Sequence, residues 1–564
     1  MPTSFKLLAD LCEKLEATKK RLLLVDLVAD FLKPLEAQET EPAISMVLGR
    51  PFPKWSQKTL DVSWTTLSGV IKRITGADDA VFSRAFSSSV DAGQAVKMVF
   101  EECRLKRQTT LVERSLTIME VRRSLEAIAE AYGQDSREKK ERLVEALFSL
   151  ASPLEVEYLV KIIIGGMRTG FYEGLMELAV AKAFDVSLDE VQRASMTVGD
   201  ISEVAAVLKV KGKAGLAEFR FRMFRPVNLM LAQMADSIAE ALREHGGKSA
   251  FEYKYDGARV QIHKSGDEVR IFSRRLTEVT ESLPEIVDMV RSNVRAGEAI
   301  LEGEVVAVDG SGRPIPFQHL MRRFRRVQGI EDAVEKIPLK LYLFDILYAD
   351  GESLVTASYI QRRQLLSQYV GAVPLAEQLV TDKIEEAEEF LEKAMDAGHE
   401  GLMVKELDSD YAPGVRGKRW LKIKPILEPL DLVLVAAEYG YGRRHGWLSD
   451  YYLAARDAET GEFVEVGKTF KGLTDAEIVE MTKRLKEIAT QEQRWGVSVL
   501  PRIVVEVAYN EVQESLKYKC GMTLRFARII RIRDDKTPEE ADTIQRVREI
   551  YERQFLKKGK LKSD

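Results

Sequence analysis

The stretch Glu252-Tyr-Lys-Tyr-Asp-Gly-Ala-Arg259 sets one lysine in a short, apolar-flanked strand beside a glycine turn and an arginine. That setting suits a lysine that attacks phosphorus. A protonated lysine is a poor nucleophile, so this reading requires burial or neighbouring positive charge to lower the pKa of Lys254. Arg259, further lysines and a phosphate-bound metal are the expected sources of that field. An exposed Asp-Gly β-turn, which needs neither Lys254 nor Arg259, is the competing reading.

Five later stretches carry residues of matching chemistry: Ile271-Phe-Ser-Arg-Arg275, Ile300-Leu-Glu-Gly-Glu-Val-Val306, Leu341-Tyr-Leu-Phe-Asp-Ile346, Glu400-Gly-Leu-Met-Val-Lys405 and Arg416-Gly-Lys-Arg-Trp-Leu-Lys-Ile-Lys424. Strand alternation puts Lys422 and Lys424 on one face, where both can reach one phosphate. Singly, each has a plainer explanation. Phe344 fits an apolar core, Lys-x-Lys an exposed strand face, and Glu-Gly an ordinary turn.

Together, in this order and spacing, they resemble the ligase branch of the superfamily of ATP-dependent DNA ligases, RNA ligases and mRNA capping enzymes, whose nucleotidyl-lysine motif Lys-x-Asp-Gly-x-Arg matches here. The resemblance implies that Lys254 is the catalytic nucleophile and that Arg259 lies in the nucleotide site. It implies that Glu252 accepts from the adenine amino group, and that Arg274 binds the ribose or an incoming phosphate. Glu304 would hold the ribose hydroxyl or a divalent metal, with Glu400 as the second metal carboxylate. Phe344 would stack on adenine and Trp420 close the other side of the base. Arg416, Lys422 and Lys424 form the motif that reaches the α-phosphate. Leu524-Arg-Phe-Ala-Arg-Ile-Ile-Arg-Ile-Arg-Asp-Asp-Lys536 resembles the last motif, with Arg531, Arg533 and Lys536 as contacts to the β- and γ-phosphates; a basic outer face of a barrel strand is the alternative.

These residues need elements to hold them. The first 220 or so residues read as amphipathic helices, for example Phe5–Leu15 and Leu143–Ala151. Within them, Ile162–Gly170 and Glu173–Ala183 read as helix, glycine turn and helix; the glycines and Arg168 suit either a phosphate backbone or tight helix packing. From Phe251 strands alternate with helices, and beyond Pro425 and Pro429 short strands with glycine turns suggest a small β-barrel. The expected architecture is multidomain: an all-α N-terminal DNA-binding domain (1–220), an α+β adenylation (nucleotidyltransferase) domain (221–427) and a C-terminal OB-fold β-barrel with a helix (428–564). A chain of 564 residues is long enough for three or four cores.

Composition narrows the class. Lys+Arg 84 against Asp+Glu 89 leaves a net charge of −5, so a nucleic-acid partner must be held by local basic surface. Met321-Arg-Arg-Phe-Arg-Arg326 is one such patch or else a solvated helix face. The three cysteines, Cys12, Cys103 and Cys520, are far apart, which argues against a disulfide framework or structural zinc and favours a reducing cytoplasm. No apolar run long enough for a membrane span and no signal-peptide pattern occur.

Because capping enzymes lack a large helical N-terminal domain, the resemblance selects a DNA ligase of the archaeal and eukaryotic type. It implies sealing of nicked double-stranded DNA through lysine-AMP and DNA-adenylate, in replication, repair and recombination, with ATP and Mg2+ (or Mn2+) as cofactors. NAD is the less expected donor, since its ligases usually add a cysteine-ligated zinc module. The expected protein is an intracellular, nucleoid-associated monomer that contacts no membrane. Many such ligases dock on the sliding clamp through a glutamine-led, aromatic-ending peptide. Here Gln108 and Leu111 are followed by Arg114 and Ser115 where aromatics belong, so weak clamp binding or none is expected.

Overall fold

The computed structural model describes residues 2–103, 115–324, 334–414, 416–424, 427–440, 444, 446–555 and 558. Gln108, Arg325, Arg326 and His445 lie outside the described residues.

Helices fill the first part of the chain, from Phe5–Glu16 to Ile201–Lys211, followed by a 3-10 turn at Gly212–Glu218. Local sequence sets their limits. Ser152 and Glu155, and Ser187 and Glu190, form reciprocal capping boxes, with Pro153 in the first turn of its helix. The helix Pro153–Ile164 stops at Gly165, whose φ of +73° is the left-handed cap that glycine adopts most readily. A Cβ built at Gly165 or Gly170 would meet nothing within 4 Å. The glycines therefore serve the turn and not close helix packing. Buried apolar stripes of these helices meet in one core that includes Phe5, Leu32, Phe100 and Phe148.

Two five-stranded sheets follow. One has the order β1 (Leu231–Met234), β10 (Arg416–Ile423), β9 (Leu402–Glu406), β2 (Ser249–Tyr253), β8 (Gln378–Thr381); the other has β4 (Glu268–Ser273), β3 (Ala258–Ser265), β5 (Glu298–Ala307), β6 (Leu339–Ala349), β7 (Glu352–Ser353). Each sheet buries its outer face under helices: Phe251, Val404 and Leu421 with Ala241 and Ala387 for the first, Val260, Leu301 and Leu343 with Ile286 and Val290 for the second. The inner faces meet in a mixed cluster of Met230, Ile300, Leu347, Tyr411 and Trp420. Alternation along each strand thus sends one set of side chains into packing and the other into the space between the sheets.

In the last part, β11 (Leu430–Tyr439) to β16 (Val504–Ala508) and β19 (Arg528–Ile532) make a seven-stranded sheet, and β17 (Glu511–Glu514) pairs with β18 (Met522–Arg525) as a separate hairpin. The barrel expected from sequence is compatible with this arrangement but is not closed into one ladder. The helix Ile544–Phe555 packs on the hairpin, where the Gln554 side chain accepts from the Val512 N–H at 2.9 Å.

Candidate active site

Lys254 follows β2 and is held by its own backbone. Its N–H donates to the Gly401 carbonyl at 2.8 Å and its carbonyl accepts from the Glu400 N–H at 2.9 Å. Two glycines make this approach possible. A Cβ on Gly401, at φ +140°, would stand 2.2 Å from the Ile423 carbonyl oxygen; one on Gly257 would stand 2.4 Å from that of Val305 and 2.8 Å from the Glu304 Cγ. The Asp-Gly and Glu-Gly pairs are points of close strand approach and not free surface turns.

The Lys254 ammonium donates to the Glu400 carboxylate, and Lys424 reaches the same oxygen at 2.6 Å. Burial alone would lower the pKa of Lys254, but Glu400, Glu304 and Asp256 outweigh it and the net shift is upward. This corrects the field expected at Lys254: its immediate neighbours are carboxylates, Glu400 first. The Arg259 guanidinium is 2.7 Å from the buried Glu302 carboxylate and 2.6 Å from the Met230 carbonyl oxygen. Burial also works on Glu400, yet Lys254 and Lys424 hold its pKa down to about 2. Glu304 differs: burial pushes it up to about 7 against the pull of Lys254 and Arg259.

Positive charge gathers at Lys422 instead. Burial lowers its pKa, and Lys254, Arg416, Lys424 and Arg274 lower it further. Five cations from three separate stretches thus share one field above the carboxylates. Such a field stabilises a polyphosphate.

The base pocket differs from expectation on one side. Phe344 and Trp420 meet edge-on, with centroids 6.1 Å apart and planes at 78°. Trp420 is 1% exposed, packed with Tyr411 and Met230, and its strand pairs it with Lys405, whose ammonium lies 4.5 Å from its ring centroid and 4.6 Å from that of Phe344. The two rings are walls of a corner and not opposed plates. Met403 is a half-buried side chain packed in the same cluster as Phe344, and its register pairs it with Glu252 and Lys422. Glu252, 2% exposed, sits 2.6 Å from Lys405 and accepts from the Tyr359 hydroxyl. Sequence reading passed over Met403, Lys405 and Tyr359; the first two stand inside a quoted motif, whereas Tyr359 carries no local signal.

Arg531 donates to Glu506, and Lys536 lies 2.6 Å from Asp431, so both engage carboxylates of their own sheet region. Arg533 places Nη1 at 3.1 Å from both oxygens of Asp431 and its other two nitrogens on Asp535. The part of the last region that meets Asp256 is the chain end, through Lys558. A cavity of about 1220 Å³, lined by Arg193, Phe221, Tyr348 and Lys418 among others, does not include Lys254. The chemistry-bearing groups lie in the space between the sheets.

For a metal, Glu400 and Glu304 are the carboxylates that act most strongly on Lys254. Among the described residues no group of three His, Cys, Asp or Glu side chains stands ready to hold an ion. Two carboxylates suit Mg2+ that takes its remaining ligands from phosphate and water. The donor set therefore fits a nucleotide-borne metal and not a resident one.

A half-buried lysine between two sheets, held by a carboxylate and sharing a field with further cations, is the kind of site found in covalent nucleotidyltransferases. Comparison with known proteins resolves the branch. The family descriptions "DNA ligase N terminus", "ATP dependent DNA ligase domain" and "ATP dependent DNA ligase C terminal region" match residues 4–179, 229–424 and 444–536. The chain is 49% identical to "DNA ligase 1" of Korarchaeum cryptofilum, covering 98% of this chain and 99% of that protein. It is 45% identical to "DNA ligase" of Thermococcus fumicolans, covering 96% and 97%. A solved structure described as "Pmar-Lig_Pre." shares the fold at TM-score 0.58 and 18% identity, covering 93% of this chain and 99% of that one. The chain belongs to the ATP-dependent DNA ligase family, enzymes that seal nicks through an adenylate intermediate. Among the described residues no helix is long and apolar enough to cross a membrane.

Proposed function

We propose that Lys254 is the nucleophile of this ligase and that the groups around it act in three phosphoryl transfers. In the first, the Lys254 amine attacks the α-phosphate of ATP; a nitrogen–phosphorus bond forms, the bond to the bridging oxygen breaks and pyrophosphate leaves. In the second, the 5′-phosphate of a nick takes the AMP and the lysine is freed. In the third, the 3′-hydroxyl attacks the activated phosphate and AMP departs. Each step needs alignment and charge neutralisation more than proton-transfer groups.

The observation that carries this reading is the Lys254–Glu400–Lys424 contact inside the field of Lys422, Arg416 and Arg274. Glu400 keeps Lys254 protonated at rest, so Lys254 gives its proton to solvent and becomes the attacking amine when that carboxylate is engaged elsewhere. Glu304 and Glu400 are the residues that would hold Mg2+ or Mn2+, which would offset phosphate charge. Lys422 and Lys424 then face the α-phosphate, Glu252 the adenine amino group, and Phe344 with Met403 the faces of the base. Arg531 and Lys536 serve the β- and γ-phosphates when the last region swings over the site and the phosphates displace Glu506 and Asp431 from them.

The domain limits proposed are 1–220, 221–427 and 428–564. The helical domain and the cationic cleft hold nicked duplex by its backbone, an interaction that weakens with salt. The glycine turn Gly165–Gly170, open and in left-handed geometry, supports a phosphate contact there. Weak or no clamp binding near Gln108, a monomeric state and a nucleoid location complete the proposal.

Incubation with Mg2+ and ATP labelled on the α-phosphate tests it. Wild type should retain an acid-labile label that nicked DNA discharges, and Lys254→Ala should retain none. A label that persists in Lys254→Ala would sink the assignment.

A further inference from the structure

Gln57 of the helical domain bonds the backbone of the turn that carries Arg274. Gln57 lies in the loop between the helices Ala37–Val47 and Trp64–Thr75. Its amide nitrogen donates to the Leu276 carbonyl at 3.0 Å, and its amide oxygen accepts from the Glu278 N–H at 2.9 Å. A glutamine that donates and accepts at once fixes both position and orientation of the backbone it holds.

The held backbone is the turn that follows β4. Ser273 and Thr277 close it with a 2.8 Å hydrogen bond, the Leu276 N–H donates back to the Ser273 carbonyl at 2.8 Å, and Arg274 and Arg275 stand exposed at its tip. Leu276 is buried and left-handed at φ +63°. A branched side chain rarely holds that conformation unless its surroundings enforce it. Gln57 caps the carbonyl of that strained residue, and Glu278, two residues on, returns the chain to an antiparallel bridge with Phe272. The turn is pinned from both sides.

The Gln57 loop is itself fixed. The Lys54 N–H donates to Asp200, and its ammonium lies 2.9 Å from Glu173. Trp55 lies under the Arg225 guanidinium at 4.0 Å, so the same loop also grips the segment that leaves the helical domain. A rigid loop on one region thus sets the place of an arginine turn on another. Of the two exposed arginines, Arg274 contributes to the field at Lys422.

The geometry points to Gln57 as a positioning residue of the helical domain that holds Arg274 in the nucleotide site, making that arginine's placement depend on how the helical domain is docked. This rests on the assignment of Arg274 proposed above. Gln57 touches no reacting atom in this account; it acts through the backbone of Leu276 and Glu278.

A double-mutant cycle on the full chain tests it: Gln57→Ala, Arg274→Ala and the pair, each measured as kcat/KM for self-adenylation with α-labelled ATP. Gln57→Ala should lower the value about tenfold. Arg274→Ala should lower it at least as much, and Gln57→Ala should then cost no more than about twofold in the Arg274→Ala background. Hydrogen exchange at the Glu278 amide should quicken in Gln57→Ala while the melting temperature stays at the wild-type value. Equal losses from Gln57→Ala in both backgrounds, or no loss in either, would overturn the inference while leaving Arg274 in the site. An Arg274→Ala enzyme as active as wild type would remove Arg274 from the site and the inference with it.

Discussion

Glu400 holds Lys254 and Lys424 through one carboxylate oxygen, Oε2, with Lys424 at 2.6 Å. One anion between two cations keeps Lys254 charged and in place, and it ties the end of β2 to the end of β10 in the same sheet. Its removal therefore has two separable consequences.

Glu400→Gln should lower the self-adenylation rate about a hundredfold, since the carboxylate proposed to hold the metal is lost. The same change removes the first of the carboxylates that raise the Lys254 pKa. The alkaline limb of the pH–rate profile, along which Lys254 loses its proton, should move to lower pH. A limb that stays where it is in wild type would mean that Glu304 and Asp256 set the value.

Glu304, pushed up to about 7 by burial, changes charge near neutrality. Self-adenylation should fall as pH drops through about 7, because the neutral carboxyl loses its hold on metal or ribose; Glu304→Gln should be slow and flat across that range. Stability runs the other way. The folded pKa lies above the unfolded one, so the folded chain takes up the proton first, and this group's penalty is relieved as pH falls from about 7 towards the unfolded value near 4.3. Melting curves of wild type and Glu304→Gln at several pH values check the sign.

Lys405 and Glu252 form a pair almost wholly out of solvent, 2.6 Å apart. Lys405→Met should leave Glu252 as an uncompensated buried charge and cost about 3–5 kcal/mol. Adding Glu252→Gln should recover part of that loss in a thermal melt, though not the nucleotide binding. A Lys405→Met protein that melts like wild type would show that water or Arg363, 3.9 Å from Glu252, takes over the pairing.

Gly257→Ala tests whether the glycine after Asp256 is a turn residue or a spacer. The added Cβ would overlap the Val305 carbonyl and the Glu304 side chain, so β5 must shift. Self-adenylation should drop by about tenfold or more through displacement of Glu304. Full activity would return the Asp-Gly pair to the status of an ordinary turn.

Much of this protein was written locally. Helix ends follow from residues within a turn of them, such as Ser152, Glu155 and Gly165, and the motif order alone marked Lys254, Glu304, Glu400, Lys422 and Lys424. Residues that act through near neighbours in sequence, or by strand alternation, leave a pattern that a reader can find. The left-out parts depend on partners far along the chain. Glu302 pairs with Arg259 from across the β3–β5 pair, Lys405 lies against the rings of Trp420 and Phe344, and Glu400 holds Lys254 from 146 residues away. Burial and Coulomb fields are sums over neighbours in space, so a pKa has no signature in sequence. The amino-acid order determined which groups this ligase has; only the tertiary structure decided which of them are already spoken for.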